Sequence, residues 1–97
     1  MRGRDRSAAR SAILRIRNKR GLHARASAKF VKCVAKFDAE VTVTKDGVTV
    51  GGASIMGLMT LVASDGSDVA VEARGPQADA VLAALRKLVE NRFGEED

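Results

Sequence analysis

The sequence predicts an α+β sandwich: a four-stranded antiparallel sheet with its helices on one face, in the order βαββαβα. Three observations predict it. The chain has 97 residues, enough for one compact core and too few for two, because a chain this short buries only about 60–68% of its unfolded surface. Period-two segments rich in β-branched residues are separated by segments of helical period. Asp46-Gly47 lies between two of the period-two segments, the strongest short-range signal of a hairpin.

Residues 1–10 are polar and Arg-rich without apolar periodicity, so they read as an unstructured basic tail, with the domain at 11–97. Their Arg, Ser and Ala content has a faint likeness to an organelle transit peptide, against which Asp5 and the early strand speak. The first strand is Ala12-Ile13-Leu14-Arg15-Ile16-Arg17, alternating from Leu14 and broken by residues 18–21. From Ala24 to Lys36 the period is helical. At 100° per residue Arg25, Lys29, Lys32 and Lys36 share an arc of about 60°. Ala24, Ala28, Val31 and Ala35 lie beside it, with Phe30, Val34 and Phe37 further round, and all seven are assigned to the buried side.

The second and third strands are Glu40–Thr44 and Val48–Val50, ended by Gly51-Gly52. Ser54 is placed to cap a short helix through Ile55, Met56, Leu58, Met59 and Leu61. Residues 64–67 form a turn before the fourth strand, Val69–Ala73. Pro76 marks the start of the last helix, whose apolar face is Ala80, Leu82, Leu85, Leu88 and Val89.

Composition removes several functions. The aromatics are Phe30, Phe37 and Phe93 alone, with no Trp or Tyr, a poor basis for stacking bases of RNA or single strands. One cysteine, Cys33, excludes an internal disulfide and a Cys-based zinc site, and one histidine excludes multi-His metal sites. Cys33 reads as packing, and its isolation fits a cytoplasmic protein. The longest apolar run, residues 53–63, is interrupted and too short to span a bilayer. No phosphate-loop spacing occurs. The net charge of +5 is unevenly spread: +3 over residues 1–10, +8 over 15–36 and −6 from residue 37 onward. That asymmetry implies an acidic partner or a phosphate-bearing ligand. A nucleic-acid-binding module is the alternative, opposed by the acidic remainder and the scarcity of aromatics. A purely regulatory protein-binding module is another.

His23 is the residue that carries chemistry. It stands where the basic helix begins, and the first amides of a helix lack intrahelical partners and carry partial positive charge, which suits phosphate. The same field disfavours imidazolium and leaves a nucleophilic neutral ring. Arg25, two residues on, adds a guanidinium for phosphate oxygens. Spacing by itself also fits a solvent-exposed histidine near a helix start.

The string from Asn18 to Val31, with Gly21-Leu22-His23-Ala24-Arg25-Ala26-Ser27 at its centre, resembles the active-site segment of the HPr family, the histidine phosphocarriers of the bacterial phosphotransferase system. Residues 54–59 match the family's serine-bearing second helix, and the likeness runs from about Ala12 to Phe93. The βαββαβα order agrees with the family's open-faced sandwich. Residues 37–41, residues 71–77 and the acidic end look most like the nitrogen-related branch. The family usually has Pro-Ala where Ala26-Ser27 stands, which loosens the helix start without altering its chemistry.

The resemblance implies a carrier, not an independent enzyme. His23 would take a phosphoryl group on its δ1 nitrogen from phosphoenolpyruvate-charged enzyme I and pass it to an enzyme IIA protein, with no cofactor or metal. Arg25 would neutralise the moving charge. Lys29, Lys32, Ile55, Met56 and Met59 would dock the partners, though a solvated lysine face and core packing of one or two of the methionines are the plainer alternatives. Ser54 fits a helix cap for structural reasons alone. The family uses this position for regulatory phosphorylation by an HPr kinase in some lineages. The sugar-transport and nitrogen-regulatory branches remain alternatives, and neither membrane nor nucleic acid is implied.

Overall fold

The computed structural model describes residues 9–95. The elements are β1 (Arg10–Arg15), α1 (Ala24–Val34), β2 (Glu40–Lys45), β3 (Val48–Gly51), α2 (Ile55–Thr60), β4 (Asp68–Arg74) and α3 (Ala78–Glu90), then a 3-10 turn at Arg92–Gly94. The strands form one antiparallel sheet in the order β1-β4-β2-β3. This is the predicted four-stranded sheet with three helices.

Alternation along each strand sorts the two faces. Leu14 of β1, Val41 and Val43 of β2, and Val69, Val71 and Ala73 of β4 are buried. Ser11, Thr42, Thr44, Ala70 and Glu72 belong to the opposite face of the pleat. Phe30 and Val34 of α1, Leu58 of α2 and Val81, Leu85 and Val89 of α3 close the core, with Phe93 beneath the chain end. Burying a side chain of this size stabilises by about 1.5–3 kcal/mol. The β2–β3 turn has φ of 51° at Asp46 and 80° at Gly47, the left-handed pair of a two-residue hairpin.

Several boundaries differ from the sequence pattern. β1 begins at Arg10, inside the expected tail: Arg10 lies opposite Ala73, and its guanidinium is 3.2 Å from Asp79. Pairing to β4 satisfies backbone groups whatever the side chains, so β1 extends past its apolar alternation. The remainder of that tail, residues 1–8, lies outside the described residues. Ile16 leaves the strand yet still donates its N–H to Ser67 O.

α1 ends at Val34, because Lys36 and Phe37 bond the carbonyls of Cys33 and Val34 in a tightened turn. Ala24 and Ala35 are exposed rather than buried, and Ser27 is buried instead. Its Oγ donates to Leu22 O, so the hydroxyl enters the core satisfied. α3 starts at Ala78 behind Gln77, two residues after Pro76, with Ala78 and Val81 buried and Ala80 exposed.

Candidate functional site

The loop from β1 into α1 is held by one close approach. Gly21 has φ +66°, and a Cβ there would stand 2.1 Å from Ala63 O. Only glycine tolerates both the left-handed backbone and that contact. Leu22 then donates its N–H to the same carbonyl at 2.9 Å and buries its side chain. The next residue, His23, is thereby delivered to the N-cap of α1.

His23 has an extended backbone (φ −76°, ψ −177°), and its side chain makes no capping bond. Its carbonyl accepts the Ser27 N–H at 2.8 Å. The amides of Ala24, Arg25 and Ala26 form the first turn, where helix geometry provides no intrahelical partners and partial positive charge accumulates. The ring instead engages Glu95, with Nε2 2.7 Å from Oε2 and both side chains largely covered.

Glu95 has a second partner. The fully buried Asn18 donates from Nδ2 to Glu95 Oε1 at 3.0 Å and to Gly21 O at 2.8 Å. Burial pushes the Glu95 carboxyl up, but the hydrogen bonds from His23 and Asn18 and the nearby charges of His23 and Lys29 outweigh it and hold it below the usual carboxylate range. The residue is ionised at neutral pH.

A cleft of ≈ 620 Å³ surrounds this pair, lined by Lys19, Arg20, His23, Arg25, Lys29, Gly94 and Glu95. Four cationic side chains face one carboxylate there, so the space is tuned for an anion of greater charge than the carboxylate supplies. Lys29 lines this cleft as well as the groove beside the basic stripe, and its Nζ donates to Phe93 O. The structure therefore gathers His23, Arg25 and Lys29.

Lys32 lies outside the cleft, in a groove of ≈ 480 Å³ between α1 and α3 that it shares with Lys29, Cys33, Lys36, Lys87 and Leu88. Cys33 is half-buried, and burial raises its thiol pKa more than Lys36 lowers it, so it stays protonated and packs against the core.

The serine-bearing helix forms a second surface. Ser54 is exposed and caps α2, its Oγ accepting the Gly57 N–H at 2.9 Å. Ile55 is 39% exposed, Met56 71% and Met59 37%. Neither Met56 nor Met59 is core, contrary to the expected packing of one or two methionines. A six-residue helix offers the sheet a narrow stripe, and Leu58, with Leu61 after it, fills it. Val62, which the sequence reading did not single out, adjoins them with 77% exposure and φ 51°.

Glu95 and Asn18 were also missed. No local pattern marks them, since Glu95 is 72 residues from His23; the one available signal was that a strongly basic segment wants a buried counter-charge. The basic residues have no stacking platform beside them, as Phe30 and Phe93 are buried and Phe37 is half-buried. Among the described residues no cluster of three His, Cys, Asp or Glu could hold a metal ion, and no helix is long and apolar enough to cross a membrane.

Residues 10–91 match the family model described as the PTS HPr component phosphorylation site. The chain is 46% identical to the phosphocarrier protein HPr of Cupriavidus necator, over 80% of this chain and 88% of that protein. It is 39% identical to the phosphocarrier protein NPr of Shewanella violacea, over 80% and 86%. The structure superposes on the crystal structure of HPr from Thermoanaerobacter tengcongensis with a TM-score of 0.86 and 41% identity, covering 91% of this chain and 99% of that one.

Proposed function

This chain belongs to the HPr family of phosphotransferase-system phosphocarriers, and from that premise we propose that it carries a phosphoryl group on Nδ1 of His23. The donor is enzyme I charged from phosphoenolpyruvate, and the acceptor is an enzyme IIA protein. The observation that carries this reading is the position of the chain's one histidine, at the N-cap of α1 in a cleft lined by Lys19, Arg20, Arg25 and Lys29. A phosphoryl group on the ring meets helix amides and cations together, which is where its charge is best stabilised. Arg25 pairs with phosphoryl oxygens and supplies no bond. The chemistry is a transfer between partners, so the protein acts as a carrier in the cytoplasm rather than as an enzyme with its own turnover.

Partners dock on the apolar patch of Ile55, Met56, Met59 and Val62, with Lys32 as a peripheral charge; exposed apolar clusters of this kind mark protein contacts. Ser54 is the regulatory site, open to an HPr kinase. A phosphate there adds about −1.5 to −2 charges beside the patch, and burying them against a partner is costly. Ser54→Asp therefore weakens binding to enzyme I while the circular dichroism spectrum stays unchanged. Equal affinity for the two proteins leaves Ser54 as a helix cap.

The test of the central reading is incubation with phosphoenolpyruvate and enzyme I, followed by mass measurement under alkaline conditions. One added phosphoryl group, labile to acid, is the expected product. Subsequent offering of sugar-specific and nitrogen-related enzyme IIA proteins identifies the branch by which one discharges it.

A further inference from the structure

We propose that Glu95, fixed by Asn18, is the residue that positions His23 for transfer: it keeps the ring proton on Nε2, leaves the Nδ1 lone pair available, and balances the positive charge that the ring gains as the Nδ1–P bond forms. This rests on the phosphocarrier reading above and assigns a role to residues outside the Gly-Leu-His-x-Arg segment.

The geometry is specific. An ionised carboxylate only accepts hydrogen bonds, so at 2.7 Å from Oε2 the His23 Nε2 must be the donor. In a neutral imidazole the other nitrogen is then unprotonated. The carboxylate is itself oriented, since its second oxygen accepts from Asn18, whose amide also donates to Gly21 O in the turn that delivers His23. Reversing that amide would set its oxygen against Glu95 Oε1 and Gly21 O, so its orientation is determined. Asn18 is thus held through its Nδ2 donors, which tie the Glu95 carboxylate to the turn at Gly21. The segment carrying Glu95 is anchored as well: Phe93 is 1% exposed, and Lys29 Nζ donates to its carbonyl.

The transfer balances without a further reactant. The Nδ1 lone pair attacks phosphorus of the phosphoryl group on the charged donor, the bond from phosphorus to the donor's carrying atom breaks, and its electron pair stays with that atom. Nε2 keeps its proton throughout. The His23 ring ends formally cationic, and the Glu95 carboxylate at Nε2 offsets that charge, as a buried acid does for the histidine of a catalytic triad. Arg25 and the α1 amides meet the phosphoryl oxygens on the other side.

The experiment uses the full chain with Glu95→Ala and Glu95→Gln, each checked by circular dichroism. Nitrogen-15 resonances of the His23 ring report the tautomer at a pH where the ring is neutral, and phosphorylation by enzyme I reports the rate. The wild type shows one tautomer with the proton on Nε2. Glu95→Ala shows a mixture of tautomers and a rate lowered at least about tenfold. Glu95→Gln keeps the tautomer, because an amide oxygen still accepts, and has an intermediate rate, because the charge is gone. A single Nε2–H tautomer or a wild-type rate in Glu95→Ala overturns the proposal. If the wild type takes up no phosphate, the carrier reading falls, and the transfer role of Glu95 falls with it; that result is distinct from a Glu95→Ala protein that transfers normally.

Discussion

Two helix N-caps in this molecule, His23 and Ser54, hold the side chains proposed above to accept phosphate, and they are built in opposite ways. Ser54 caps its own helix, with Oγ on the Gly57 N–H, and stands exposed beside Ile55 and Met56. His23 makes no capping bond; its ring is committed to Glu95, and four cations line the space around it. The difference teaches that an N-cap position sets only a weak preference for anions. What distinguishes one such end, and suits it to the proposed transfer, is the shell of charged side chains that the rest of the chain brings up to it. The other end remains a surface whose neighbours make added charge unwelcome.

The sharpest way to break this comparison is to remove each side chain in turn. His23→Ala abolishes acid-labile phosphorylation and keeps the fold, while Ser54→Ala leaves that phosphorylation at the wild-type rate; mass measurement after incubation with enzyme I checks both. Acid-labile phosphate on His23→Ala would remove the basis for distinguishing the two ends. The next largest effect falls on the loop that delivers His23. Gly21→Ala meets both the φ of +66° and the approach to Ala63 O, and so destabilises by about 2 kcal/mol or more in urea titration. Gly57 lies inside α2, three residues after Ser54, where a Cβ would meet Ser54 Oγ at 3.0 Å; Gly57→Ala has a smaller effect, since an alanine helix gains propensity.

Charge sharpens the contrast further. Arg25→Ala slows phosphorylation by about tenfold to a hundredfold without abolishing it, because one of several stabilising groups is lost. Stopped-flow or quench kinetics measure it, and an unchanged rate would mean that amides and lysines suffice. Stability runs the other way: Ser54→Ala costs about 1 kcal/mol through the lost cap, whereas His23→Ala loses no cap.

The smallest effect is in pH. The Glu95 carboxyl is held below the usual carboxylate range, so its contribution to stability is complete above the unfolded value of about 4.3. It is lost as pH falls through the lower folded value. Melting temperature followed downward from neutral pH therefore declines less steeply in Glu95→Gln than in the wild type below about pH 4.

The order of elements was legible in the sequence because its signals are local. Val41-Thr42-Val43-Thr44 alternates, Asp46-Gly47 supplies the left-handed turn pair, and Ser54 stands three residues before the amide it accepts. The placement of His23 and Arg25 at a helix start was legible for the same reason. Other features were decided only by packing. Arg10 joins β1 because β4 offers it backbone partners, and Met56 and Met59 face outward because Leu58 already fills the stripe that α2 presents to the core. Lys29, a residue of the stripe, also becomes part of the cleft because the carbonyl of Phe93 arrives beside it. Glu95 reaches His23 because Arg92 and Phe93, both with φ 56°, reverse the chain after α3, and burial of the Phe93 ring offsets that strain. Sequence periodicity reports interactions within a few residues. A carboxylate placed 72 residues from its partner is positioned by the summed geometry of sheet, helices and turn, and so it appears only when the chain is folded.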